Sequence, residues 1–525
     1  MLLFDPLEKW AREIPEKEAL VYKGSRVNYA EYNRQTDRVA RGLLSFGVKR
    51  GDKVAIWMPN RPEYNYCYLA CAKVGAVAVP ISIRFTAPEA QFIIHHSDAC
   101  ALLMDHAFGF LNYVDIINSI RADIGKVKHI AVLGEKQQAD KIKGAISFDN
   151  FLNTGEDYAA KLEQRKKEVR QEDTVLMLFT SGTTGRPKSP ELTHDNITSF
   201  LKYNTEFTGL NSSDRALMDL PNNHAGGSTM AIPGMLYVGG TLVIHDGFVP
   251  LDVLKTIHEE KITYVGQVPT QYILMLMQPD FGNYDMSSLR LAVAGAAPVP
   301  PELVYQVKEK MGVTLTVGYG LTESTALITF TRKDDPIDKI ATTIGMPLPG
   351  VEIKIKDDHG NELPRGEAGE ICIGGRTVMK GYYNAPDLTA QAIAKDGFLN
   401  SQDIGFIDNE GYLHILGRKR EMYIRGGENV FPPEIEDVLY KHPKVMLAAV
   451  LGYPDPVLGE KGRAYIVPKS GMQVTEKEIR EFSKQHLAKY KVPDAVIFRD
   501  SLPLTPLGKV HKFVLYEEIK KEFGK

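Results

Sequence analysis

The sequence predicts an α/β protein, with a large N-terminal domain of stacked α/β sheets plus a β-module, followed by a small α+β C-terminal domain. Helical patterns and short β-branched apolar runs alternate through the first half, as expected for a largely parallel sheet covered by helices. Between Val351 and Gly381 the composition turns to short β-runs broken by Asp357-Asp358-His359-Gly360-Asn361 and Gly374-Gly375, the pattern of an antiparallel module. At 525 residues and 43% hydrophobic, the chain exceeds what one core supports, so at least two domains are expected.

Taken in order, a helical pattern from Val27 ends at Phe46-Gly47-Val48 and leads to the strand Val54-Ala55-Ile56-Trp57-Met58. A second helix runs from Pro62 through Lys73 into a strand of small residues ending at Pro80. Ala101-Leu102-Leu103-Met104, His129-Ile130-Ala131-Val132-Leu133 and Thr241-Leu242-Val243-Ile244 read as strands, and Pro250 to Glu259 as a helix. The charge-rich residues 134–173 read as a surface excursion. Lys419-Arg420-Glu421 has no apolar periodicity and divides the chain into domains at 1–418 and 419–525. The smaller part then holds a helix from Pro433 to His442, a strand Ala448-Ala449-Val450-Leu451-Gly452 and a helix from Thr475 to Leu487.

A formal charge of −3, from 63 basic and 66 acidic residues, gives no general attraction for nucleic acid or an anionic membrane. The 4 cysteines form no cluster with metal-ligand spacing, and Cys67 and Cys71 fall at helical spacing that points to buried packing. No basic segment followed by an apolar core opens the chain and no long apolar window occurs, so a soluble cytoplasmic protein without an integral membrane segment is expected.

Chemistry concentrates in a few stretches. Thr180-Ser181-Gly182-Thr183-Thr184-Gly185-Arg186-Pro187-Lys188 follows an apolar run ending at Phe179 and combines glycines, hydroxyls and two cations, the make-up of a loop that holds phosphate. It is not a Walker loop, because Arg186 and Pro187 separate Gly185 from Lys188. Leu289-Arg290-Leu291-Ala292-Val293-Ala294-Gly295-Ala296-Ala297-Pro298 reads as a strand running into a loop of small residues, whose side chains leave room for a flat ligand. In Gly318-Tyr319-Gly320-Leu321-Thr322-Glu323 an aromatic ring that can stack on a purine stands near a carboxylate that can hold a hard cation.

With these stretches in this order, and with Gln402-Asp403-Ile404-Gly405, Gly417-Arg418, Gly426-Gly427-Glu428-Asn429-Val430 and Gly508-Lys509 after them, the chain resembles the AMP-forming adenylating enzymes along nearly its whole length. That superfamily includes acyl-CoA synthetases, nonribosomal adenylation domains and luciferase. The resemblance implies an acid–thiol ligase that uses ATP, Mg²⁺ and CoA, forms an acyl-adenylate and then a thioester, and releases pyrophosphate and AMP. It implies that Thr180, Ser181, Gly182, Thr183, Thr184, Gly185 and Lys188 cradle the β- and γ-phosphates, that Glu323 binds Mg²⁺ and that Thr322 meets the α-phosphate. Tyr319 is expected on adenine beside Gly295, Ala296, Ala297, Gly318 and Gly320, and Asp403 on the ribose hydroxyls near Arg418. Lys509 is expected to bridge carboxylate and α-phosphate until the small domain swings about Arg420 and presents Gly426 and Gly427 to pantetheine.

His224, in Asn222-Asn223-His224-Ala225-Gly226-Gly227-Ser228, resembles the residue that gates the carboxylate. The small residues there and at Gly295-Ala296-Ala297 point to a medium-chain aliphatic, alicyclic or aryl acid. A stand-alone enzyme loading a carrier-protein thiol and a non-catalytic nucleotide-binding relative are the alternatives, and monomer and homodimer both stay open. Two departures stand out. Ser189-Pro190-Glu191 replaces the family's glycine and small apolar residue after Lys188, which predicts a stiffer loop exit. Gln402 replaces the common glycine before Asp403.

Overall fold

The computed structural model describes residues 1–180, 187–504 and 510–523. Two large sheets dominate. In the first, Leu315–Gly320, Leu291–Gly295, Tyr264–Gln267, Arg215–Met218, Thr241–Ile244 and Glu18–Tyr22 lie side by side in parallel, with antiparallel strands at both edges. In the second, Thr174–Met177, Val77–Pro80, Lys53–Trp57, Ala101–Asp105, His129–Leu133 and Ala145–Ser147 are parallel neighbours. Pro190–Thr193 and Gly381–Tyr382 extend this sheet antiparallel beyond Thr174–Met177.

The sheets pack face to face across a shared core. Helices Tyr29–Ser45, Pro62–Val74, His194–Thr208 and Ile232–Val238 are sandwiched between them through Val39, Leu43, Leu69, Phe200 and Leu236. Further cores bury the outer faces, with Val253 and Val304 under one sheet and Ile93 and Ile117 under the other. The result is five alternating helix and sheet layers, the arrangement that buries both faces of a parallel sheet. Helix Pro62–Val74 is buried all round, including Cys67 and Cys71 as free thiols, so their spacing does reflect packing.

Residues 134–173 correct the sequence reading. They supply the edge strand Ala145–Ser147 and the helices Phe148–Asn153 and Ala159–Glu168, and they bury Phe148, Phe151 and Leu162 in the shared core. A few apolar residues spaced among many charges suffice to seat a segment whose average composition reads as surface.

A four-stranded antiparallel sheet, Val351–Lys356, Gly369–Gly375, Leu399–Ile407 and Leu413–Arg418, forms the β-module. Lys419-Arg420-Glu421 is a turn, with Glu421 N and Met422 N both donating to Arg418 O. Beyond it a separate sheet carrying helices Pro432–Tyr440 and Glu476–His486 closes its own small cores. Among the described residues no helix is long and apolar enough to cross a membrane.

The parallel strands end at one rim, where buried polar groups begin. Asp219, just past Arg215–Met218, is 3% exposed and accepts from Gln267 Nε2 at 2.5 Å; burial pushes its pKa up to about 7. A carboxyl whose folded pKa lies above its unfolded value contributes stability at low pH that is lost as pH rises through the folded value. Asp219→Asn is therefore expected to remove a loss of stability that builds up from the usual carboxylate range to about pH 7 and levels off above it. Urea denaturation from pH 5.5 to 8.5 checks this, and parallel profiles for the two proteins would refute it.

Candidate active site

Thr180 and Lys188 close the base of the glycine-rich loop. Thr180 N donates to Lys188 O at 2.9 Å and Lys188 N to Thr180 O at 3.0 Å. Ser181, Gly182, Thr183, Thr184, Gly185 and Arg186 lie outside the described residues. The exit continues as the strand Pro190–Thr193, paired on both edges. Toward Gly381–Tyr382 it is the carbonyls of Ser189 and Glu191 that accept, from Tyr383 N at 2.9 Å and Lys380 N at 3.0 Å. Pro190, in register with Tyr382 between them, lacks an N–H and supplies none to these two bonds. The exit expected to be stiffer at Ser189-Pro190-Glu191 is a strand hydrogen-bonded on two sides.

Across the rim, Leu315–Gly320 ends in the 3₁₀ turn Thr322–Ser324, which carries Thr322 and Glu323 half-buried. Glu323 is held at two points, since Met379 N donates to its carbonyl at 2.8 Å and the Tyr382 hydroxyl to its Oε1 at 2.9 Å. The Lys188 ammonium lies 5.2 Å from the centroid of the same Tyr382 ring, within cation–π range. Thr325, next in the chain, has φ +74°, an outlier for a β-branched residue that costs about 1–3 kcal/mol. Two hydrogen bonds fasten it: its Oγ1 donates to Thr377 O at 2.7 Å, and its carbonyl accepts from Thr229 Oγ1 at 2.8 Å. Thr229 belongs to the π-helical turn Gly226–Ala231, which starts where His224 O accepts from Gly227 N and Ser228 N. The His224 segment and the Glu323 turn are therefore tied together.

Asp403 lies in register with Arg418 on the β-module and is 2% exposed. Its Oδ2 accepts from the Tyr319 hydroxyl at 2.7 Å, and Arg418 Nε stands 3.1 Å from Oδ1. Burial pushes the Asp403 pKa up, against the pull of the Arg418 guanidinium and the Tyr319 hydroxyl. Gln402, where the family resemblance led glycine to be expected, has φ +63°, a left-handed conformation that suits glycine. Its Nε2 donates to Glu370 Oε1 at 3.0 Å, its backbone N donates to the same oxygen at 3.1 Å, and Lys419 N donates to its carbonyl at 2.9 Å. These bonds offset the strain of placing a side chain there.

Some predicted residues have another structural reason to be small. An added Cβ at Gly295 would meet Gly318 O at 2.8 Å, at Gly318 it would meet Leu327 at 2.8 Å, and at Gly320 it would meet Ala326 O at 1.9 Å. One at Gly226 would meet Leu220 at 2.6 Å, and one at Gly227 Pro221 O at 2.8 Å. The space inferred from the sequence for a ligand is, at these glycines, filled by protein; close backbone packing is what excludes a side chain there. Ala296 is exposed, at φ +64°, and Ala297 is half-buried. Gly426 and Gly427, both at positive φ, form the two-residue turn between Tyr423–Arg425 and Glu428–Val430, which a type I′ hairpin requires of both positions. Lys509 lies outside the described residues; Leu504 and Val510, on either side of that segment, pair as an antiparallel bridge.

Tyr382 is absent from the sequence-derived set. Its signal was the aromatic pair Tyr382-Tyr383 after Gly381, but only the tertiary structure sets it between Lys188 and Glu323. The donor set suits Mg²⁺ in one particular way. Among the described residues no three His, Cys, Asp or Glu gather into a metal-binding group. A cation at Glu323 would take one carboxylate and complete its shell with phosphate oxygens and water, as Mg²⁺ does in nucleotide sites.

Residues 7–383 match the model for the AMP-binding enzyme, and residues 434–509 that for the AMP-binding enzyme C-terminal domain. Feruloyl-CoA synthase of Amycolatopsis sp is 35% identical, covering 98% of this chain and 97% of its own. The mitochondrial medium-chain acyl-CoA ligase ACSF2 of Danio rerio is 32% identical over 99% of this chain and 88% of its own. The crystal structure of the anthranilate CoA ligase AuaEII in complex with anthranoyl-AMP superposes with a TM-score of 0.90 at 28% identity, covering 100% of this chain and 98% of that one.

Tyr319→Phe leaves a buried carboxylate oxygen without its donor, a loss of about 1–3 kcal/mol. Because that hydroxyl holds the Asp403 pKa down, its removal raises the folded value further above the unfolded one. The destabilisation is then expected to be larger at pH 8 than at pH 4. Urea unfolding at both pH values checks this, and an equal loss at each would contradict it.

Proposed function

The chain belongs to the family of AMP-binding enzymes, and we propose from that premise which of its residues do the chemistry. It is an acyl-CoA synthetase: with ATP, Mg²⁺ and CoA it activates a carboxylic acid to an acyl-adenylate, passes the acyl group to CoA, and releases pyrophosphate and AMP. Attack of a carboxylate on the α-phosphate brings an anion to a polyanion, so the barrier is largely electrostatic. The observation that carries our assignment is the convergence at one rim of Lys188 and Glu323, joined through Tyr382, with Asp403 and Arg418, joined to the same sheet through Tyr319.

In this reading Lys188 and the loop Thr180–Gly185 hold the pyrophosphate leaving group, and Thr322 meets the α-phosphate. Glu323 holds Mg²⁺, which when bound supplies positive charge to the phosphates. Gly295, Ala296, Ala297, Gly318, Tyr319 and Gly320 surround adenine, and Asp403 accepts from the ribose hydroxyls with Arg418 beside it. The Tyr319 hydroxyl donates to Asp403, so one side chain positions both the base and the ribose contacts. His224 orients the acid. Lys509 brings the ammonium that bridges the two reacting anions, and Arg420 is the pivot between domains 1–418 and 419–525. The turn at Gly426-Gly427 then borders the pantetheine path, and the enzyme works in the cytoplasm.

We place the acid in the medium-chain aliphatic, alicyclic or aryl class, with no second charge. The stretch from Leu220 to His245 contains no Asp, Glu, Lys or Arg, and neither does that from Leu291 to Pro301. A charged tail would meet no fixed partner there, and burying it unpaired is costly. Relatives named for ferulate and for medium-chain acids support the same class.

Pyrophosphate release across short, medium, alicyclic, aryl and dicarboxylic acids, with and without CoA, tests the assignment. Medium or aryl monoacids are expected to give the highest kcat/KM; a preference for dicarboxylic acids would overturn the class. Turnover with a phosphopantetheinylated carrier but none with free CoA would overturn the acceptor. Lys509→Ala is expected to abolish adenylate formation while largely sparing thioester formation from supplied acyl-adenylate, and equal loss of both half-reactions would contradict its role.

A further inference from the structure

Tyr382 is involved in three separate interactions. Its ring faces the Lys188 ammonium at 5.2 Å, its hydroxyl donates to Glu323 Oε1 at 2.9 Å, and its backbone lies in register with Pro190 on the loop's exit strand. The residue is itself held in place: Tyr382 is 7% exposed and its backbone N–H donates to Thr389 Oγ1 at 2.9 Å. The flanking bonds from Met379 N to Glu323 O and from Tyr383 N to Ser189 O hold the segment against both neighbours. Phenylalanine would satisfy the packing and the cation–π contact, and only a tyrosine also reaches the carboxylate.

We propose that Tyr382 is a positioning residue that couples the phosphate-loop cation to the metal carboxylate, so that nucleotide phosphate and divalent cation bind cooperatively. This rests on the assignment of Glu323 and Lys188 given above. A carboxylate that commits one oxygen to a fixed phenol keeps a defined orientation, with its other oxygen available to a cation. The ring holds Lys188 on the same support, so the two charges that receive Mg²⁺·ATP are oriented by one rigid group before either ligand arrives. Orientation set in advance lowers the cost of binding.

The test reads binding by the unmodified full-length protein and its variants. The ATP-induced thermal shift is measured as a function of Mg²⁺ concentration, with isothermal titration of ATP in excess EDTA as the metal-free arm. Tyr382→Phe keeps the ring and is expected to raise the Mg²⁺ concentration for half-maximal shift by about 10-fold, as loss of a partner behind a metal ligand does. Its metal-free ATP affinity is expected to stay as in the wild type. Tyr382→Leu, which also removes the aromatic face, is expected to lose about 2- to 5-fold in metal-free ATP affinity as well.

Glu323→Gln is the reference. If it leaves the Mg²⁺ dependence unchanged, the assignment of Glu323 fails and the coupling with it. If it raises the requirement while Tyr382→Phe does not, the assignment stands and the role of Tyr382 is overturned. The double variant Tyr382→Phe/Glu323→Gln is expected to need no more Mg²⁺ than Glu323→Gln alone, because the hydroxyl acts through that carboxylate. Additive effects would show that Tyr382 acts by another route and overturn the proposal.

Discussion

Two parallel sheets end their strands at a common rim, and the segment Arg376–Tyr383 is hydrogen-bonded to both of them there. Arg376 O and Val378 O accept from Asn196 Nδ2, Thr377 O from Thr325, while Met379 N reaches Glu323 O, Lys380 N reaches Glu191 O and Tyr383 N reaches Ser189 O. Consecutive residues alternate between the phosphate-loop side and the Glu323 side. Lys188 follows a strand of one sheet and Glu323 a strand of the other, while Asp403 and Arg418 come from the β-module, so this segment links the elements that carry Lys188 and Glu323.

The site also gathers backbone strain. Thr325, Ala296 and Gln402 all adopt positive φ, and all stand beside residues assigned to the nucleotide. At Thr325 and Gln402 side-chain hydrogen bonds fasten the conformation, to Thr377 in one case and to Glu370 in the other. Strain of this kind persists where the surroundings over-determine it, and it orients neighbouring groups more narrowly than a relaxed turn would. Gln402 shows how a side chain can be tolerated in a conformation that favours glycine: Glu370 accepts from both its amide and its backbone, and Lys419, next to the proposed pivot, bonds its carbonyl. The ribose carboxylate and the interdomain turn are mechanically adjacent for that reason.

Much of the fold could be read in the chain because its elements are long and periodic. The helix Pro62–Val74 and the strands Lys53–Trp57 and Leu291–Gly295 fall where apolar runs and their proline or glycine stops place them. Residues 134–173 could not be read that way, since Phe148, Phe151 and Leu162 are too sparse to show a period amid charge. The candidate site was legible wherever charge or aromatic chemistry marks a residue, as at Lys188, Glu323, Tyr319 and Asp403. It was misread where smallness was taken for ligand space, because glycine looks the same in sequence whether a ligand or a neighbouring strand excludes its side chain.

The sequence by itself determined the α/β class, the order of the chemical stretches and the identity of the charged groups. These follow from local pattern and side-chain chemistry, which need no knowledge of what lies far along the chain. Only the tertiary structure decided that Tyr382, remote in sequence from both partners, stands between Lys188 and Glu323, and that Gln402 adopts a left-handed conformation. Such facts depend on which strand edges meet across the rim, and strand pairing over long separations is set by the burial of the whole core and leaves no mark in the residues that it joins.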